Sequence, residues 1–232
     1  MNSFTLDDTI NSRATWGLRI TEPPIIPTTT RIVESVTVDG REGTLTLLKG
    51  WEDITLTMRA ALLGENIRYR FRDIVPAILA AKTVYFSNDN DVYFKIKHSG
   101  VGGLVRVLST LYDFSLTFVC EPFRYWRYGG SIMLTSSPTN ITNQGNVFTL
   151  PLITVIGTGN GTLTVGGKQT KLNILAGKLT IDSALMECYQ GGTAQNNQMQ
   201  GPFPVLASGD TPISWSGGIS YIEIEEPRWR FL

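Results

Sequence analysis

Residues 201–231, GPFPVLASGDTPISWSGGISYIEIEEPRWRF, decide how this chain reads. Gly201, Pro202 and Pro204 pin a loop, and Ile213 to Trp215 starts a strand. Gly217-Gly218 reads as a turn, and Ile219 to Ile224 alternates apolar and polar residues. Period-2 alternation marks a strand with one buried face. Pro227 stiffens the exit. The stretch holds no acid–base pair, metal cluster or nucleophile, and its aromatics are placed to pack, so it reads as scaffold.

Outward from it, short alternating runs recur at 147–150, 152–156, 162–165 and 178–182, separated by Gly-rich turns. That spacing predicts a β-sandwich or jelly roll. Charge thins out over 131–160 while Ser, Thr, Asn and Gly rise. We therefore expect two domains, 1–130 and 131–232, with a return of the last strand to the first domain left open.

The first domain is also mainly β. Pro23, Pro24 and Pro27 forbid a helix and a central strand in 16–33, so this is an extended arm or edge. Such an arm either straps a neighbouring subunit or covers its own sheet edge. Over 36–58, Val36, Val38, Leu45, Leu47, Ile54, Leu56 and Met58 alternate with Thr. They predict half-buried strands punctuated by turns at Asp39-Gly40 and Lys49-Gly50, with Gly43 at positive φ. In 66–82, Ile67, Phe71, Ile74, Ile78 and Leu79 share a helical face. Pro76 argues for a short helix starting near Asp73, with the proline in its first turn. A hairpin follows, with Val84-Tyr85-Phe86 and 92–97 around a turn at Asn88-Asp89-Asn90-Asp91. In 112–123, Phe114, Leu116, Phe118 and Cys120 point inward and Pro122 ends the strand.

The chain has 232 residues, and a chain of this size buries roughly 70–75% of its unfolded surface, so it needs no staple. Lys plus Arg and Asp plus Glu are 20 each, and a formal net charge of 0 excludes global steering to nucleic acid or anionic membrane. Charged residues are only 17%, low against about 25% in globular domains, a pattern that suits a surface covered by partners and is equally common in plain β-sandwiches. Cys120 and Cys188 lack a CxxC or a nearby His and read as buried free thiols. The opening MNSFTLDDTINSR has early acids and no apolar signal core, and no run approaches the ~20 apolar residues of a membrane span. The expectation is a soluble chain made in the cytosol.

Candidate chemistry is thin. His98, the one histidine, sits at a strand end beside lysines, which argues against zinc and against a Ser-His-Asp triad. Asn88 to Asp91 offers oxygen ligands without the Gly and Glu of a calcium loop. Gly157-Thr158-Gly159-Asn160-Gly161 precedes a Thr-rich strand rather than a helix, so it reads as a pair of β-turns and not a phosphate cradle. Glu223, Glu225, Glu226, Asp182 and Glu187 read as charged solvent faces rather than a glycosidase pair. Trp215 and Tyr221 could form a sugar platform, though core or interface packing explains them as well. Arg19, Arg31, Arg41, Arg68, Arg70, Arg72, Arg124 and Arg127 enrich the first half in arginine without a basic run, which favours interfaces or solvent over nucleic acid.

Three stretches together resemble the distal tail proteins of siphophages that infect Gram-positive bacteria. They are VTVDGREGTL (36–45), FVCEPFRY (118–125) and 201–231 with its Phe203-Pro204-x-Leu206, Ile213-x-Trp215 and Pro227-Arg228-Trp229-Arg230. Asn143-x-Gly145 and Ile181-Asp182-Ser183 fit in between, so the likeness runs in order along nearly the whole chain.

The resemblance implies a mainly β fold. It comprises an N-terminal tail-tube-like β domain with one short helix and a long hairpin, then a galectin-like sandwich. It implies a homo-hexameric ring at the distal end of the tail that touches the tail tube protein, the tape-measure protein and the tail-tip hub protein. In some relatives it also carries a receptor-binding protein. DNA would pass through the lumen without specific binding, with no cofactor, metal, catalysis or membrane insertion. Interface or structural roles are then expected for Gly40, Arg41, Gly43, Val84, Tyr85, Phe86, Val92, Tyr93, Phe94, Pro122, Tyr125, Trp215, Arg228 and Trp229. The 84–97 hairpin is the expected intersubunit contact, by strand addition. The alternatives are a carbohydrate-binding sandwich module and, more weakly, a glycoside hydrolase.

Overall fold

The computed structural model describes residues 3–22, 24–175 and 177–232, so Pro23 of the arm lies outside the described residues. The chain divides into two compact units, Met1–Arg127 with Leu232, and Tyr128–Phe231.

Unit 1 contains β1 (Phe4–Leu6), β2 (Ile10–Asn11), α1 (Ser12–Trp16), β3 (Arg19–Glu22), β4 (Arg31–Thr37) and β5 (Thr44–Trp51). It continues through β6 (Ile54–Leu63), α2 (Ile67–Ala80), β7 (Thr83–Phe86), β8 (Asp89–Val101), β9 (Val105–Leu108) and β10 (Leu111–Trp126). The sheet runs β2-β1-β7-β8-β10-β6-β3, with β9 also on β10. Its spine is β10 against β6, ten antiparallel pairs from Leu111↔Leu63 to Cys120↔Ile54. The register sets Phe114, Leu116 and Phe118 opposite Ala60, Met58 and Leu56, so both apolar sets fall on one face. Those side chains and Cys120 are buried, as the alternation predicts. The intervening Thr55, Thr57 and Arg59 are exposed.

α2 covers that face with Ile67, Ile74 and Ile78, and Phe71 meets Phe114 edge-on with centroids 4.9 Å apart. Leu79, expected on the same face, is exposed. The helix starts at Ile67 and runs through Pro76, not from Asp73. It tolerates the proline because Pro76 and Arg72, whose carbonyl loses its partner, both lie on the exposed side. α1 had no period to betray it. It is one turn set by its ends, with the Asn11 side chain accepting from the Arg13 and Ala14 amides and Gly17 at φ 64 closing it.

Three turn and strand-end readings in this unit also differ from the structure. Pro122 does not end its strand but sits where the β8–β10 register slips between Cys120 and Arg124, a bulge that needs no N–H. Lys49-Gly50 lies inside β5 rather than in a turn, because the Ile32↔Gly50 slip absorbs it. The β7–β8 turn is the two-residue Ser87-Asn88, since Phe86 pairs directly with Asp89.

Unit 2 contains β11 (Ile132–Leu134), β12 (Thr139–Asn143), β13 (Leu152–Val165), β14 (Lys168–Ile174) and β15 (Lys178–Asp182). Then come β16 (Glu187–Gln190), β17 (Thr193–Ala194), β18 (Met199–Gln200) and the eighteen-residue β19 (Gly209–Glu226). β13 pairs from Leu152 to Val165 with residues 213–226 of β19, and the register slips between Leu152 and Ile153, between Ile156 and Gly157, and between Gly157 and Gly161. Gly157–Gly161 and Gly217-Gly218 are therefore not turns but facing bulges within two continuous strands. The bend divides the ladder into two layers of a sandwich. One half of each strand joins β15, β16, β17 and β11, and the other joins β14, β18 and β12. Residues 147–150 make isolated bridges, Val147↔Arg230 and Thr149↔Leu206, rather than a strand.

Glycine is required at this crossing for space. A Cβ on Gly157 would meet the Gly218 carbonyl oxygen at 2.0 Å, and one on Gly218 would meet that of Thr158 at 1.9 Å. We predict that Gly218→Ala destabilises unit 2 by about 1–3 kcal/mol, the range for overpacking. Gly130→Ala, with nothing within 4 Å, should change it little. Urea unfolding of the two variants checks this.

Candidate assembly surface

β4 and β5 form a two-stranded sheet of their own, paired with nothing else among the described residues. Their alternation predicts one buried face, yet nearly every residue from Arg31 to Leu48 is exposed. Val33 is 53% and Leu48 63% accessible, and Ile32, Val38, Leu45 and Leu47 are also open. The hairpin is nevertheless fixed at its root. The Trp51 ring packs edge-on against buried Phe123 at 5.8 Å, and the Arg31 guanidinium lies 3.9 Å over it. At the other end, Gly40 and Gly43 take φ 78 and 77, and the Arg41 amide donates to the Val38 carbonyl. Gly40, Arg41 and Gly43 thus make the exposed tip of an anchored arm that presents apolar side chains to solvent.

The 84–97 hairpin is different. Val84, Phe86, Val92 and Phe94 are buried within the protomer's own unit, which leaves these four side chains no surface to offer a partner. The same alternation served both hairpins. What separates them is that β7 and β8 sit inside the large sheet, over the core that α2 joins, while β4 and β5 pair with nothing else among the described residues. Tyr85, Tyr93 and Tyr125 lie on the opposite face. Arg127 stacks over Tyr85 at 3.7 Å, Tyr93 and Tyr125 stack at 5.6 Å, and Lys95 sits 4.2 Å over Tyr125. The Tyr125 hydroxyl donates to Glu121 at 2.5 Å.

In unit 2, Arg228 is a lock. Its guanidinium donates to both Asp182 oxygens at 2.8 and 3.0 Å, and its Nε donates to Glu226 at 3.1 Å. Arg228 has φ 55, uncommon for a non-glycine, and the Thr149 hydroxyl donates to the Pro227 and Arg228 carbonyls around it. Burial raises the pKa of the Asp182 carboxyl. Hydrogen bonds from Arg228, Leu185 and Ala184, with the Arg228 charge, outweigh burial and hold it below the ordinary 3.8. The hydrogen bond to Asp182 raises the Arg228 pKa further. Trp229 is buried beside this lock in sequence. Trp215 is half-buried, and its amide donates to the Ser137 hydroxyl at 2.8 Å while that hydroxyl bonds its carbonyl at 3.1 Å.

The candidate chemistry falls apart in space. Asp182 is committed to Arg228, Glu225 accepts from Thr154, and His98 is exposed on β8. No cluster of three His, Cys, Asp or Glu side chains suited to a metal occurs among the described residues. Cys120 and Cys188 are buried free thiols. Burial, with Asp53 and Glu121, pushes the first up to about 12, and burial pushes the second to about 11. Neither is a thiolate at neutral pH.

No family model matches the chain and no curated protein does. Among solved structures, the Dit protein (gp 19.1) of phage SPP1 is similar with TM-score 0.64 and 13% identity, covering 96% of this chain and 98% of that one. That protein is described as a paradigm of the hub adsorption apparatus in phages infecting Gram-positive bacteria. Chains of the phage p2 baseplate in its activated conformation, with strontium and with calcium, match at TM-scores 0.45 and 0.46 and 11% identity. They cover 96% and 98% of this chain, and 98% and 99% of theirs. The SPP1 likeness is one of fold, over both units in the same order.

We predict that Arg228→Ala destabilises unit 2 by about 3–5 kcal/mol, because it strands the buried Asp182 carboxylate. The folded Asp182 pKa lies below its unfolded value, so its stabilising contribution is present above about pH 4 and is lost as pH falls through the folded pKa. Asp182→Asn should remove that part of the acid dependence. Thermal melts from pH 6 to pH 2, about the range in which carboxylates titrate, measure both.

Proposed function

We propose that this chain is a structural protein of a phage tail tip, acting by assembly rather than turnover. In this reading it is a distal tail protein. It forms a homo-hexameric ring that joins the tail tube to the tip hub and lets DNA pass through its lumen. Its neighbours are the tail tube, tape-measure and hub proteins, with a receptor-binding protein as a further candidate. The observation that carries the reading is the fold likeness to SPP1 Dit across 96% of this chain, both units in order. It is supported by the anchored, solvent-exposed β4–β5 hairpin. A ring needs two different complementary surfaces per copy, and an apolar arm unpartnered in its own protomer is a candidate for one.

A carbohydrate-binding role for unit 2 is the second reading. It is favoured by a groove of about 360 Å3 whose walls include Asn160, Thr162, Asn173, Gln198, Gln200 and Ser216. Carboxamides carry donors and acceptors together, and Asn173 already donates to Gln198 at 2.8 Å, holding the pair oriented. Binding of neutral oligosaccharides on a glycan array, lost in Asn173→Leu, would favour this role.

The ring is tested by native mass and negative-stain microscopy of the full chain. Six-membered rings are expected, and a mass fixed at one protomer overturns the reading. Ser35 pairs with Thr46, so replacing 36–45 by Asn-Gly re-closes the hairpin with a two-residue turn. That variant should keep its melting temperature and lose the rings.

A further inference from the structure

A second surface of unit 1 has no partner among the described residues of that unit, and it lies at the other end of β6 from the hairpin. Here Arg68, Phe71, Arg72, Leu104, Arg106 and Tyr112 line a cleft of about 380 Å3. Its floor is aromatic and aliphatic and its rim is cationic. All three arginines are exposed, and among the described residues none has a carboxylate within 4 Å. Arg72 lies 5.5 Å over the Tyr69 ring, and the Arg106 Nε reaches only its neighbour's carbonyl at Leu108, 3.4 Å away. Beside the cleft runs β9, whose Val105, Val107 and Leu108 are half or more exposed. β9 pairs only with β10, so among the described residues its other edge is open. Arginine and aromatic side chains around an apolar floor are the composition of a protein interface.

The hairpin tip is the chemical complement. Asp39 and Glu42 flank Arg41 at the tip, both exposed and without an ion pair among the described residues, and Val38 and Leu45 lie beside them. The two surfaces cannot meet within one copy. The hairpin joins the sheet at the Ile54 end of β6, whereas Tyr112, in the cleft, pairs with Leu62 at the far end. Along a strand of ten residues that is about 30 Å. The exposure of the hairpin on both faces shows that it does not fold back along the sheet.

We infer that the β4–β5 tip of one copy docks in the arginine cleft of the next, Asp39 and Glu42 against Arg68, Arg72 and Arg106, with the hairpin's aliphatic residues on β9. This rests on the assembly reading above and names its contact. It is heterologous, head to tail, as a ring or stack of identical copies requires.

The test uses two reversed full-length chains. One carries Asp39→Lys and Glu42→Lys at the tip, and the other carries Arg68→Glu and Arg72→Glu in the cleft. All four sites are exposed, and circular dichroism melts confirm that each chain folds. Each chain alone sets like charges face to face, so its half-assembly concentration should rise at least about tenfold over wild type. An equimolar mixture makes every contact complementary again if the two alternate, so assembly should return. The wild-type half-assembly concentration should also rise with salt, because rim charges are screened over about 10 Å at 0.1 M. If wild type assembles and both reversed chains assemble equally well alone, the contact is overturned while the ring stands. If the reversed chains fail alone and also fail mixed, the pairing is overturned. A wild type that never leaves the monomer overturns both readings.

Discussion

Everything in unit 1 depends on the ten-pair register between β6 and β10. One residue of slip would turn Leu56, Met58, Phe114, Leu116 and Phe118 to the solvent face and remove the surface on which α2 lies. That ladder also fixes the two unpartnered surfaces, because the β4–β5 hairpin enters at one end of β6 and the arginine cleft forms at the other. The separation that a head-to-tail contact needs is thus a by-product of strand length.

Much of this ladder was legible in the sequence, because period-2 alternation reports burial on one face. The inward set from Phe114 to Cys120 is buried as the pattern predicts. The same signal misled at β4–β5, where Val36, Val38, Leu45 and Leu47 alternate yet the last three face solvent and Val36 is only half-buried. Periodicity says that a face is apolar. It does not say whether the protomer itself or another molecule covers that face. The Val84–Phe94 residues and the β4–β5 residues look alike in sequence, and tertiary context alone assigns one set to the core and the other to the outside.

Glycine and proline were the other source of error, in a consistent direction. Gly157–Gly161, Gly217-Gly218 and Lys49-Gly50 read as turns and Pro122 as a strand end, and all lie within continuous strands at register slips. A bulge needs the same tolerance as a turn, namely positive φ, a missing N–H or no Cβ, so the local signals coincide. What separates them is the partner strand, which is far away in sequence. The Arg228–Asp182 lock was invisible for the same reason, its members being 46 positions apart in sequence. Only its Pro-Arg-Trp setting singled it out.

An isolated two-stranded hairpin is marginal in water, so the persistence of β4–β5 requires an explanation within the protomer. Its root supplies one. Trp51 is held between the Phe123 ring and the Arg31 guanidinium, and the Glu34–Lys49 pair at 2.8 Å is exposed and adds little. The anchor orders the base while leaving the aliphatic side chains of the arm in water. This orders the arm before it meets anything, so part of the entropy of docking is already spent on folding. The formal net charge of 0 fits the same division of labour. Two copies of a neutral protein neither repel nor steer one another at long range, so recognition falls to local complementarity, which is where the unpaired acids of the tip and the unpaired arginines of the cleft are found.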